Sequence, residues 1–107
     1  MISLSSHVLD TTSGTPVADM PVTLTAPDGN QVTTVTNCDG RCKDWPGITF
    51  TAGTYHIRFA CKDYLLARHG QSFYPHVDIH FEMTEDGGHY HVPLLISPFG
   101  FSSYRGS

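Results

Sequence analysis

The sequence predicts an all-β protein, a sandwich or barrel with one short helix. Short runs rich in Thr, Val, Ile, Tyr and Phe alternate with turn signals, and a single stretch has helical character. Strands at this spacing are typical of sandwiches and barrels, and the chain shows no repeat, linker or low-complexity tract. Its 107 residues are the size of one domain, so we expect a single domain over residues 1–107.

Six runs are predicted as strands because β-branched and aromatic residues dominate them. Pro-Asp-Gly at 27–29 and Asp-Gly-Gly at 86–88 predict tight turns between runs, because Gly accepts positive φ and Asp bonds its own backbone. The predicted strands are Ile2–Leu9, Pro21–Ala26, Gln31–Thr36, Thr54–Cys61, His76–Met83 and His89–Ser97.

The segment Lys62–His69, KDYLLARH, is predicted to be a two-turn helix that ends at Gly70. Glycine is the usual residue just past a helix C-terminus, and the cationic Arg68 and His69 suit the last turn. Sandwich edges invite pairing with another chain, so we also expect oligomerisation through an edge strand.

Composition restricts the partners. Six Lys plus Arg against ten Asp plus Glu give a formal charge of −4, and the basic residues form no stripe. Nucleic acid and anionic membranes are therefore poor candidate partners. The seven histidines outnumber Lys and Arg together and titrate near neutrality. They are the feature that a function must explain.

Sequence signals favour a cytoplasmic protein. The N-terminus has no secretory pattern, and the longest apolar stretch, Val92–Ile96, is too short to span a bilayer. The terminal Arg105-Gly-Ser107 is not a peroxisomal signal. Three cysteines, an odd number, argue against a closed disulfide framework and suit a reducing compartment.

Histidine pairs are the first candidates for chemistry. In the strand that contains His89-Tyr-His91, alternation places both imidazoles on one face, where they could be structural, hold a metal or take part in catalysis. His76 and His80 are also in phase, with Val77 and Ile79 towards the core, and are predicted to lie on a solvated strand face.

Other chemistries have less support. Cys38 and Cys42 lack the second ligand pair that a zinc site needs, and Cys61 is predicted to be a small buried hydrophobe. The chain has no serine nucleophile motif and no glycine-rich phosphate loop. Acid and base chemistry by histidine on water remains. Taken alone, His7 would be a half-buried strand residue, Arg41 a solvated turn residue and the C-terminal tail a frayed end.

Three segments become informative when they are read together: Leu4–Pro16 (LSSHVLDTTSGTP), Thr36–Arg41 (TNCDGR) and His89–Ser107 (HYHVPLLISPFGFSSYRGS). In order and spacing they resemble the 5-hydroxyisourate hydrolases, the transthyretin-like enzymes of purine breakdown. The terminal Tyr-Arg-Gly-Ser, preceded by His-x-His-Val-Pro-Leu-Leu, is specific to these hydrolases, whereas hormone-carrying transthyretins share the fold and lack the tail. Phe101-Ser-Ser stands where the family more often has Tyr-Ser-Thr.

The resemblance implies a transthyretin-like fold of two four-stranded sheets with one short helix, assembled as a homotetramer with active sites at the dimer–dimer interface. The implied reaction opens the ring of 5-hydroxyisourate with water, giving 2-oxo-4-hydroxy-4-carboxy-5-ureidoimidazoline without a metal or organic cofactor. His89 is not among the residues that the resemblance assigns. The implied catalytic residues are His7, Arg41, His91 and Ser107, and the implied substrate-binding residues are His7, Arg41, Tyr104, Arg105 and Gly106.

Two other functions compete with this hypothesis. A transthyretin-type carrier would hold an aromatic ligand without catalysis, although it has no reason to retain a polar set of His, Arg and Tyr. A zinc or copper protein would use His89 and His91 with either His76 or His80.

Overall fold

The computed structural model describes all 107 residues and shows an all-β sandwich with one short helix, as predicted. In chain order, the elements are β1 (Ser3–Asp10), β2 (Thr15–Pro16), β3 (Pro21–Thr25), β4 (Gln31–Val35), β5 (Arg41–Cys42), β6 (Gly53–Phe59), α1 (Lys62–His69), β7 (Val77–Met83), β8 (His89–Ser97) and β9 (Gly100–Ser103).

The strands form two sheets. The first has the order β2-β1-β8-β9, with β5 also paired to β1, and the second has the order β4-β3-β6-β7. Strands β1 and β8 run parallel, and every other pair is antiparallel. The β1–β8 register aligns Ser3 with His89 and Ser5 with His91. It joins the two ends of the sequence in the middle of one sheet.

All six predicted strands are present, β8 with the predicted bounds and the others within two residues of them, but three short strands were not predicted. Strands β2 and β5 have two residues each, too few to show any period. Strand β9 pairs Ser103 with Leu94 and Phe101 with Ile96, so the expectation of a frayed tail is wrong for this part of the chain.

Alternation builds the core between the sheets. Every second residue of β1 is buried, including Leu4 and Val8, and Tyr55, Ile57 and Phe59 of β6 face them from the other sheet. Cys61 is fully buried, as predicted. Apolar residues at period two on both sheets are what hold the layers together.

Near the start of β7, the predicted inward side is confirmed for Val77, which is buried, and for Ile79, which is half-buried. His76 lies just before β7 rather than within it, and its Nε2 is 3.3 Å from an oxygen of Asp78.

Helix α1 has the predicted bounds, and Gly70 closes it with φ 74°, its N–H donating to the Leu66 carbonyl at 2.9 Å. The helix is anchored through Asp10, a fully buried carboxylate at the end of β1. Tyr64 Oη and His69 Nε2, both from α1, each lie 2.7 Å from Asp10 Oδ2.

Burial acts to raise the pKa of Asp10, but hydrogen bonds from Tyr64 and His69, with backbone N–H groups of Ser13 and Thr12, outweigh it and lower the pKa to about 2. A carboxyl whose pKa is lower in the folded state stabilises the fold above its ordinary pKa near 3.8. That stability is lost as the pH falls from about 4 towards 2.

We therefore expect Asp10→Asn to lower the free energy of unfolding at pH 7 by about 1–3 kcal/mol, because buried donors lose a charged acceptor. The deficit relative to the parent should shrink between pH 4 and pH 2. Urea titrations at one protein concentration measure both effects, with Asp28→Asn in an exposed turn as the matched control. An equal loss for the two variants would contradict this account of Asp10.

The single helix, α1, has eight residues, which is too short to span a bilayer. The three cysteines are free, with Cys38 exposed and Cys42 and Cys61 buried.

Candidate active site

The outer face of the first sheet carries a row of polar side chains on β1 and β8. Residues Ser3, Ser5 and His7 of β1 alternate with buried neighbours, and His89 and His91 do so on β8. These five residues are called the histidine face here. The sequence prediction that His89 and His91 share one face is confirmed.

Arg41 joins this face through β5. Strand β5 pairs antiparallel with β1 so that Arg41 lies directly opposite His7. The preceding turn is fixed by Asn37, whose Oδ1 accepts the N–H groups of Asp39 and Arg41 at 2.9 and 3.0 Å. Gly40 is required there, because its φ is 75° and a Cβ would lie 2.6 Å from the Val8 carbonyl oxygen. This turn therefore delivers Arg41 to the edge of β1.

The Arg41 guanidinium is exposed and makes no hydrogen bond or ion pair within the chain. His7 is half-buried, and its Nε2 lies 2.9 Å from the carbonyl oxygen of Asp39. A carbonyl accepts only, so Nε2 of His7 carries the proton and Nδ1 is the nitrogen left for another partner. Both groups are available to a ligand on this face.

His91 is held from two sides. Its Nδ1 lies 2.7 Å from Ser5 Oγ, and its backbone oxygen accepts the N–H of Gly106 at 2.7 Å. Burial lowers the pKa of His91, and the nearby charges of Arg41, His7 and His89 lower it further. A neutral ring at neutral pH can accept a proton.

The C-terminal tail lies against His91. A Cβ on Gly106 would be 2.6 Å from His91 Cδ2, so only glycine allows the backbone to approach the imidazole this closely. Ser107 follows as an exposed residue, and no hydrogen bond fixes its side chain.

The side chains of Tyr104 and Arg105 lie elsewhere. The Arg105 guanidinium is 4.0 Å from the centre of the Tyr90 ring and donates to the Gly87 carbonyl at 3.0 Å. Tyr90 points to the core side of β8, so this cation is not on the histidine face. Tyr104 is 60% exposed and, with Tyr90 and Arg105, lines an open cleft of about 420 Å³ between the edges of the two sheets.

The structure thus brings together His7, Arg41, His91 and the backbone of Gly106, and leaves the side chains of Tyr104 and Arg105 outside this group. Sequence reasoning missed Ser5, whose Oγ lies within hydrogen-bond distance of both His89 and His91. The sequence shows that Ser5 and His7 are two residues apart on one strand and therefore share a face. It does not show that strand β8, which carries His89 and His91, lies beside Ser5.

The proposed metal ligands do not converge. His80 lies on β7 of the second sheet and His76 lies just before that strand, whereas His89 and His91 lie on the outer face of the first sheet. The combination of these pairs in one metal site is therefore wrong. His80 instead stacks on His56 with ring centres 4.5 Å apart. No three His, Cys, Asp or Glu side chains are grouped as a metal site requires.

The Cys42 thiol is buried beside the site, and burial raises its pKa to about 12. A protonated, enclosed thiol is a poor nucleophile. The polar groups available for chemistry on this face are therefore imidazoles and a guanidinium.

Fold and site define the class of this protein: a transthyretin-like β-sandwich with one helix and with imidazoles on the outer face of one sheet. Its sheets have five and four strands rather than the expected four each, because the two-residue strand β5 adds to β1. A solved 5-hydroxyisourate hydrolase from Klebsiella pneumoniae superposes with a TM-score of 0.86 and 35% identity, over 100% of each chain. A transthyretin from Sparus aurata superposes with a TM-score of 0.82 and 28% identity, over 97% of this chain and 96% of that one.

The model of the HIUase/Transthyretin family matches residues 4–106, and the chain belongs to that family. Among curated relatives, a 5-hydroxyisourate hydrolase of Mesorhizobium japonicum is 45% identical, over 97% of this chain and 91% of the relative. The resemblance seen in the sequence is confirmed.

Proposed function

We propose that this protein hydrolyses 5-hydroxyisourate to 2-oxo-4-hydroxy-4-carboxy-5-ureidoimidazoline in urate degradation. The observation that carries the proposal is the convergence of His7, Arg41 and His91 on one sheet face, with the tail backbone bonded to His91. Relatives that are hydrolases by name support it over the whole length of the chain.

In the proposed mechanism, His91 is the base. Its neutral ring takes a proton from water through the nitrogen that Ser5 does not occupy, and the water oxygen attacks the acyl carbon of the substrate ring. His7 is the acid in this proposal: with Nε2 held by the Asp39 carbonyl, a proton carried on Nδ1 passes to the leaving ring nitrogen as the carbon–nitrogen bond breaks. One proton enters at His91 and one leaves from His7, and exchange with solvent restores both.

Arg41 would hold the substrate and stabilise the oxyanion. A guanidinium presents a planar fork of donors that matches paired oxygens of a urate-like ring, and this one has no partner in the chain. Tyr104, Arg105 and Ser107 are proposed as further substrate contacts, with Ser107 able to donate from its hydroxyl. None of these steps requires a metal or an organic cofactor.

We also propose a homotetramer whose active sites lie at the dimer–dimer interface. The histidine face is open in the single chain, and an open face cannot exclude water or enclose a ring. A second subunit placed over this face would supply the missing wall. The exposed tail could then move towards the substrate.

The test is the decay of freshly prepared 5-hydroxyisourate, followed by ultraviolet absorbance with and without the protein. Acceleration that survives exhaustive chelation supports a metal-independent hydrolase. A protein that binds thyroxine-like aromatics and leaves the decay unchanged would be a carrier, the alternative that the match to Sparus aurata transthyretin keeps open.

We expect Arg41→Lys to lower kcat/KM by about 10²-fold, because a point ammonium cannot replace a fork of donors aimed at the developing charge. Steady-state kinetics on the same substrate measure the loss. The matched control is Arg58→Lys, whose guanidinium pairs with Asp78 on the second sheet. Equal kinetics for the two variants would remove Arg41 from the site.

A further inference from the structure

A continuous hydrogen-bonded chain runs along the histidine face. Ser3 Oγ lies 2.6 Å from His89 Nδ1, and Ser5 Oγ lies 2.9 Å from His89 Nε2 and 2.7 Å from His91 Nδ1. The His89 ring is therefore held at both nitrogens, although a solvated strand histidine would have neither fixed. Ser5 is the junction between the two rings.

The junction restricts where protons can be. A hydroxyl has one hydrogen, so Ser5 can donate to one ring only and must accept from the other. If Ser5 donates to His91 Nδ1, the free nitrogen of His91 carries the proton. If Ser5 donates to His89 Nε2, His91 Nδ1 carries the proton, and its Nε2 has the lone pair. The two rings thus cannot choose their tautomers independently.

We propose that Ser5 and His89 are positioning residues that hold His91 as the Nδ1–H tautomer, with Nε2 as the bare nitrogen facing the site. In this arrangement His91 Nδ1 donates to Ser5, Ser5 donates to His89 Nε2, and His89 Nδ1 donates to Ser3. The inference rests on the proposed function, because a base that acts through Nε2 needs a lone pair there.

One feature favours this direction, and a second is compatible with it. The positive charge of Arg41 near His91 favours a free nitrogen with a lone pair over one that carries a proton. The exposed end of the chain at Ser3 can pass its own hydrogen to solvent, so accepting from His89 leaves no donor unsatisfied. A neutral histidine side chain in water prefers the opposite Nε2–H form. The hydrogen bonds from Ser5 and His89 must therefore impose the Nδ1–H form on His91.

The first test needs no turnover. Nitrogen-15 chemical shifts of the labelled His91 ring report its tautomer directly. We expect the Nδ1–H form in the parent protein and a change to mainly Nε2–H in Ser5→Ala and in His89→Phe, with Ser5→Thr restoring the parent signal. Nε2–H in the parent, or the same tautomer in parent and Ser5→Ala, would overturn the proposal. If Ser5→Ala does not fold, His89→Phe decides the question alone.

The second test is kinetic. With 5-hydroxyisourate we expect Ser5→Ala to lower kcat about tenfold or more with KM within about threefold, and Ser5→Thr to recover most of kcat. The matched control is Ser72→Ala, which removes a half-buried serine hydroxyl that donates to the Tyr74 carbonyl away from the site. Unchanged kcat in Ser5→Ala would also overturn the proposal. A parent without turnover would refute the proposed function, and the tautomer measurement would still stand.

Discussion

His91→Asn should lower kcat by about 10² to 10⁴ while the protein still folds and binds substrate, because it removes a positioned base. Asparagine is chosen for its shape: its side-chain amide can occupy the place of Nδ1 and keep the contact with Ser5. The nitrogen at the Nε2 position is lost. The difference in kcat between the parent and His91→Asn therefore measures the contribution of Nε2, the proton-accepting atom, rather than that of the contact with Ser5.

Steady-state kinetics with 5-hydroxyisourate measure the effect, with thermal unfolding as a check on folding. The matched control is His76→Asn, since His76 lies near Asp78 on the other side of the sandwich and should leave kcat unchanged. A His91→Asn protein that turns over at the parental rate would exclude His91 as the base. Loss of activity in both variants would point to a general effect of removing histidine.

The pH dependence of kcat should follow the protonation of His91. Burial and the charges of Arg41, His7 and His89 lower the pKa of His91, so its neutral form persists to a lower pH than that of an ordinary histidine. Proton uptake by His91 should therefore limit the acid side of the kcat profile at a pH below the ordinary range. Arg41→Lys keeps the charge and should preserve this limit, whereas loss of the charge should move it upwards.

How much of this could be predicted from sequence depends on whether a feature is local. The period-two patterns of β1, β6 and β8 and the glycine after α1 are local, and the strands and helix they predict are present. The pairing of β1 with β8 joins residues more than 80 positions apart, and no local pattern encodes which strand lies beside Ser5. Only the family resemblance brought His7 and His91 together in advance.

The contacts of the C-terminal tail, residues 104–107, also could not be predicted from local sequence patterns. Resemblance assigns the side chains of Tyr104 and Arg105 to the substrate, but in this structure Arg105 stacks on Tyr90 and bonds the Gly87 carbonyl. What reaches His91 is the backbone of Gly106. A backbone contact cannot be predicted from composition or spacing, because its only trace in the sequence is the glycine that permits it. The reason for a glycine at position 106 is apparent only when the position of the His91 ring is known.

Deletion of residues 104–107 should abolish detectable turnover and leave the sandwich folded. Strand β9 ends at Ser103, whose hydroxyl still donates to the Pro93 carbonyl at 2.8 Å, so the sheet edge is retained. The deletion removes the Gly106 N–H from the His91 carbonyl and uncovers one side of the imidazole. Misplacement of a reacting group by about 1 Å can cost about 10² in rate.

Gly106→Ala tests the same contact with one methyl group. Its Cβ would lie 2.6 Å from His91 Cδ2, so the ring or the tail must move, and we expect kcat to fall towards the value of the deletion. Gly100→Ala on β9 is the matched control, because its Cβ would meet nothing closer than Ser97 Oγ at 3.6 Å. If both alanine variants kept parental kcat while the deletion did not, the tail would act through the side chains of Tyr104, Arg105 or Ser107. Full activity in the deletion would show that the site is complete on the sheet face alone.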